Sequence, residues 1–166
     1  MPHIISGLSL LVLYILQMTI FSQSPLLSGT TDLILLFLAA WSLQPQVKNS
    51  WIWTLISGVL ISIISAMPFY TPLIAYIGIV GISKLIQSKV WKTPIFAMFI
   101  VTFIGTVFQH VIYVVALQII GAQISWGESI DRVILPSVLL NLIFALPIYA
   151  MVNDLAGRAY PLEEEL

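Results

Sequence analysis

His110, beside Gln109 in the middle of a long apolar run, is the side chain best placed to move a proton or hold a ligand. An ionisable group at bilayer depth is a functional candidate by default, and imidazole can act as acid, base or ligand near neutral pH. No carboxylate stands next to it in the sequence, so a hydrogen-bonded structural role is the plainer expectation. His3, at the far end of the chain, makes no motif with it. Asp32 follows Ser28, Gly29, Thr30 and Thr31 and precedes a Leu-rich run. A carboxylate there can accept N–H groups of a first helical turn and complement the helix dipole. Asn141 offers hydrogen bonds to a neighbouring helix. Asp154 and Arg158 are spaced to pair on one helix face, which contributes only about 0.3 kcal/mol. Glu163, Glu164 and Glu165 read as a solvated tail.

Most reaction chemistries lack their parts. There is no Walker A loop and no glycine-rich dinucleotide fingerprint. With two His and no Cys, and no helical His pair, a zinc site is not expected. An intramembrane aspartyl protease needs two embedded Asp residues, and only Asp32 is a candidate. Nothing marks a Ser as activated by His110. Ion-coupled transport uses several buried carboxylates, which are absent. The expectation is a non-enzymatic chain with no catalytic residue, metal or cofactor.

The elements that must carry these residues are helices in lipid. The chain has 166 residues, 60% apolar and 8% charged, where a soluble domain carries about 25% charged. Its mean hydropathy is +1.06. So few charges cannot cover a water-soluble globule. Disorder, a disulfide scaffold and nucleic-acid binding are excluded by the apolar content, the lack of Cys and a net charge of −1 without a basic cluster. At about 20 residues per crossing, six crossings fill the chain and leave no separate soluble domain.

The spacing predicts an all-α membrane protein, a bundle of six transmembrane helices in a single domain over 1–166. The spans fall at about 4–23, 26–43, 51–67, 72–87, 94–120 and 133–152. The first lacks a basic leader and a cleavage site, so it reads as a retained span. Gln44-Pro45 ends the second, Pro68 and Pro72 bracket a tight return, and Thr93-Pro94 reads as an N-cap followed by proline. No period-two alternation supports a β-barrel. Span two is anomalous, since Asp32 to Leu43 reaches only about 18 Å of a roughly 30 Å core. Either the helix begins near Pro25 and buries Asp32, or a loop dips into the membrane under protein cover.

Lysine and arginine set the orientation. Lys48, Lys84, Lys89, Lys92 and Arg158 fall on one side and Arg132 on the other, which places both termini in the cytoplasm. Trp41, Trp51, Trp53 and Trp91 fall near the lysine-bearing ends, and Trp126 and Tyr70 near the opposite face, where headgroups favour amphipathic rings. Gly58, Ser62 and Ala66 share four-residue spacing in span three, a close-approach face for another helix of the chain or for a partner's helix. Gly78 and Gly81 add small residues to span four. Pro147 inside span six predicts a kink.

Three stretches carry a family resemblance: Thr31-Asp32-Leu33-Ile34-Leu35-Leu36-Phe37-Leu38-Ala39-Ala40-Trp41, Ser57-Gly58-Val59-Leu60-Ile61-Ser62, and Leu139-Leu140-Asn141-Leu142-Ile143-Phe144-Ala145-Leu146-Pro147-Ile148-Tyr149. Their order resembles the MreD family of bacterial rod-shape membrane proteins: a polar residue before a Leu-rich span with a late Trp, a glycine-led helix, then an Asn before a kinked segment. One departure is Ser62, where the family often carries Asp. The resemblance implies a non-enzymatic scaffold in the inner membrane that binds the single-span protein MreC and helps organise MreB, RodA and its transpeptidase partner in peptidoglycan synthesis. It also implies a fold similar to the S component of energy-coupling-factor vitamin transporters. That component is the alternative function, with a cavity open to the outside and lined by residues such as Trp126 and Asn141. Gly58, Ser62 and Ala66 are the expected partner or packing face, and no tight small-molecule ligand is expected of the scaffold.

Overall fold

The structure, a computed structural model, describes residues 2–21, 29–89 and 93–160. Helix α1 (Pro2–Leu16) runs on through a π-helical turn, Gln17–Phe21. Next come α2 (Leu33–Leu43), α3 (Ser50–Ile64), α4 (Tyr70–Gln87) and α5 (Pro94–Ile119). A short α6 (Trp126–Ser129) passes through a second π turn, Ile130–Ile134, into α7 (Leu135–Ala159). Among the described residues there is no strand.

Three helical stretches are long and apolar enough to cross a membrane: Tyr70–Gln87, Pro94–Ile119 and the continuous run Trp126–Ala159. Three shorter apolar helices, Ser6–Thr19, Leu33–Leu43 and Ser50–Ile64, accompany them. Large apolar side chains such as Leu8, Ile63, Phe103, Leu139 and Ile143 lie exposed on the outside, as helices solvated by lipid require.

Helix α2 is the axis of the bundle. Every residue from Leu33 to Leu43 is buried, and α1, α3, α4, α5 and α7 all pack against it. A helix apolar on every side has no polar face to turn outward, so enclosure is its stable state. At 11 residues it is about 16 Å long. The expected span at 26–43 is thus corrected: Gly29 to Asp32 are not helical, and residues 26–28 lie outside the described residues. Trp41 is also corrected. It is fully buried and stacks on Phe37 at 5.5 Å rather than facing headgroups, whereas Trp51 and Trp126 are exposed. Trp91, Lys92, the side chain of His3 and the Glu163–Glu165 tail lie outside what is described.

The turns follow local chemistry. Helix α3 ends at Ile64, earlier than expected, with Ser65 extended ahead of Pro68. Pro94 opens α5 as expected, but the Thr93 side chain makes no capping bond. Helix α5 closes on Gly121 at φ 93°, with Ala122 N–H donating to Leu117 O and Gly121 N–H to Gln118 O, both at 3.0 Å. That left-handed glycine stop satisfies the last carbonyls. The helical run expected from 133 begins at Trp126, so Glu128, Asp131 and Arg132 sit on helical turns rather than in a loop. Pro147 lies inside α7 on its exposed face.

Candidate functional site

The site forms where α2 begins in mid-bundle. An extended backbone inside an apolar bundle must have its N–H and C=O groups satisfied by protein, and polar side chains from distant helices do this. Thr30 N–H donates to Ser137 Oγ at 3.1 Å, Asp32 N–H to Asn141 Oδ1 at 2.9 Å, and Leu33 N–H to Gln17 Oε1 at 2.8 Å. Gln17 Nε2 returns a bond to Thr31 O at 3.0 Å. The approach to α7 is close: a Cβ on Gly29 would fall 2.6 Å from Pro136 Cβ and 2.7 Å from Ser137 N. Only glycine fits there.

Asp32 is the N-cap of α2, as expected, with Oδ1 accepting Leu35 N–H at 2.8 Å. Its second oxygen faces α4 and α5. Oδ2 accepts the Tyr76 hydroxyl at 3.0 Å and Gln109 Nε2 at 2.7 Å. Gln109 Nε2 also reaches the Tyr113 hydroxyl at 3.1 Å. Asn141 is fully buried and completes the ring by donating to Thr106 Oγ1 at 2.9 Å. His110 Nδ1 stands 2.8 Å from Thr106 O. A carbonyl oxygen only accepts, so Nδ1 carries the hydrogen of this contact.

Asp32, Tyr76, Gln109, His110 and Tyr113 line a partly open cavity of about 290 Å³ together with Gln17, Met18, Thr30, Ile61, Ile64 and Ser65. His110 therefore does share a cavity with a carboxylate, which its sequence neighbours did not reveal. The partners missed in the sequence are Gln17, Tyr76, Thr106, Tyr113 and Ser137. Thr102, Thr106, Gln109 and Tyr113 follow three- and four-residue steps along one face of α5, and that stripe was the available signal.

The small-residue face of α3 is elsewhere. Gly58 lies against Leu73 of α4, where an added Cβ would sit 2.7 Å from Leu73 Cδ1. Ser62 is buried, and Ala66 is exposed beyond the end of the helix. Gly58 is thus a close-packing point inside the chain, and the three residues do not form one open groove. Gly78 meets Phe108 of α5 in the same way. Asp154 and Arg158 pair at 2.8 Å on the exposed surface. Among the described residues no cluster of His, Cys, Asp or Glu could hold a metal ion.

In comparisons with known proteins, the chain matches no family model, no curated protein and no solved structure.

Proposed function

We propose that this chain is a non-enzymatic scaffold of the bacterial cell-elongation machinery, similar to the MreD family. It binds the transmembrane helix of MreC and, through that complex, helps organise MreB, RodA and its transpeptidase partner. The observation that carries the proposal is the bond from Asp32 N–H to Asn141 Oδ1. The polar residue ahead of the Leu-rich segment and the late Asn define two of the three stretches of resemblance, and here they hold each other. In this reading the three shorter helices complete a six-segment inner-membrane bundle with both termini in the cytoplasm. Support for the orientation comes from Lys84 Nζ, which donates to Val47 O at 2.9 Å and so keeps the Lys48 and Lys84 ends together. The lipid-exposed apolar faces of α1 and α3 offer area for a partner's helix.

The test is capture of MreC by the tagged chain in mild detergent, paired with rescue of rod shape in cells depleted of their own scaffold. Retention of MreC, lost when its transmembrane segment is replaced, is the expected result. Failure of both capture and rescue would overturn the proposal. One observation favours the alternative, a substrate-binding S component: the polar-lined cavity beside Asp32. Of the lining residues that alternative invoked, Asn141 is spent on Asp32 and Thr106, and Trp126 is not among the residues around the cavity. A vitamin retained through purification would decide for it.

A further inference from the structure

We infer that the chain pairs with a second copy of itself in the membrane, through the exposed face of α7 and the hollow beside it. Two independent observations carry this. The first is shape. Leu135, Leu139, Ile143 and Leu146 are all exposed, and their three- and four-residue steps make them one ridge along α7. Beside the ridge, Leu142 joins Phe99, Phe103 and Ile104 of α5 around an open hollow of about 470 Å³. Helices in lipid associate by seating ridges of side chains in grooves, because lipid supplies no hydrophobic drive. A two-fold interface uses the same patch on both partners. A ridge next to a hollow fits its own copy, since each ridge can enter the other's hollow.

The second is charge. Glu128, Asp131 and Arg132 are exposed at the Trp126 end of the ridge. Among the described residues none of these side chains makes an ion pair or a hydrogen bond. Asp154 and Arg158, also four apart on α7, do pair at 2.8 Å. The difference is the π turn Ile130–Ile134. Its bonds close five residues apart rather than four, so Glu128 and Arg132 do not stack as neighbours on an α-helix would. Two chains inserted in the same direction meet with equal residues at equal depth. A patch with both signs at one depth is therefore complementary to its own copy: Arg132 of each chain faces Glu128 and Asp131 of the other. An apolar helix from another protein would fill the hollow and leave all three charges unanswered.

The full chain contains no Cys, so a single introduced thiol reports on one position. Leu135→Cys and Ile63→Cys are oxidised in membranes of the expressing cells, and cross-linked dimer is read on a non-reducing gel. Ile63 is the more exposed, at 67% against 51%, so random collision would favour it. Leu135→Cys is expected to cross-link about 10-fold faster or more, because a docked copy raises the local concentration. Self-association of the full chain is then measured by energy transfer between dye-labelled copies in phosphatidylcholine vesicles. Arg132→Glu is expected to weaken it by about 3–10-fold, and adding Glu128→Arg to restore it. Phe103→Ala weakens it as well. All three positions are exposed, so circular dichroism stays unchanged. A monomer at every protein-to-lipid ratio, which leaves the face to lipid, overturns the proposal. So does equal cross-linking at 63, a thiol at 135 trapped on a different protein, or a dimer indifferent to both Arg132→Glu and Phe103→Ala. The partner area proposed above lies on α1 and α3 and its capture is read separately, so failure here leaves the scaffold proposal standing.

Discussion

The backbone N–H of Asp32 donates to Asn141 Oδ1 across 109 positions of sequence, and the same Asn donates its Nδ2 to Thr106. One side chain on α7 therefore holds the unwound start of α2 against α5. Replacing it with a similarly shaped apolar residue leaves a buried N–H and a buried hydroxyl without partners. Asn141→Leu is expected to destabilise the bundle by about 1–2 kcal/mol, read as a lower unfolding temperature in detergent. The nearby lipid-facing change Leu139→Ala should stay within about 0.5 kcal/mol.

Gly29 and Gly157 make a contrasting pair. A Cβ at Gly29 collides with the backbone of α7, whereas Gly157 has nothing within 4 Å. Gly29→Ala is expected to cost about 1–3 kcal/mol by forcing α2 and α7 apart. Gly157→Ala, in an exposed helical turn, should raise stability by about 0.5–1 kcal/mol. The sign of the two shifts in thermal unfolding is the check.

Gly58 and Leu73 should behave as a coupled pair. Gly58→Ala meets Leu73 Cδ1 at 2.7 Å and its Cα at 3.1 Å, so the single change loosens the α3–α4 contact. Adding Leu73→Ala removes the nearer clash. A double-mutant cycle should show a coupling of about 0.5–3 kcal/mol. Simple additivity would mean that α3 and α4 do not meet there.

The Asp154–Arg158 pair is expected to contribute almost nothing. Both side chains are largely exposed, and a pair at this spacing is worth about 0.3–0.5 kcal/mol at low salt. Arg158→Ala should leave the unfolding temperature unchanged within error. In the proposed orientation, a cysteine placed at Lys89 should be labelled from the cytoplasmic side and one at Gly121 from the opposite side.

Much of the architecture was legible because lipid makes composition decisive. The helices α4 and α5 sit close to where proline, glycine and apolar runs placed them. The start of α2 was not legible, since its non-helical residues are stable only through Gln17, Ser137 and Asn141, none of them local in sequence. Trp41 misled for a related reason: a Trp at a span end fits a headgroup layer, but enclosure of α2 by five helices puts it in the core. At the candidate site Asp32, His110 and Asn141 stood out singly as polar residues in apolar runs. Their convergence with Tyr76 and Tyr113 depends on how α4 and α5 rotate about α2. Packing sets that rotation, and hydropathy does not encode it.

The enclosure of α2 also dictates an order of events during biosynthesis. A segment this short, with open amide groups at its leading end, has no resting place of its own in the bilayer. It emerges from the ribosome long before α7, which brings Ser137 and Asn141. Until then the Thr30 and Asp32 amides lack the two side chains that satisfy them in the finished bundle.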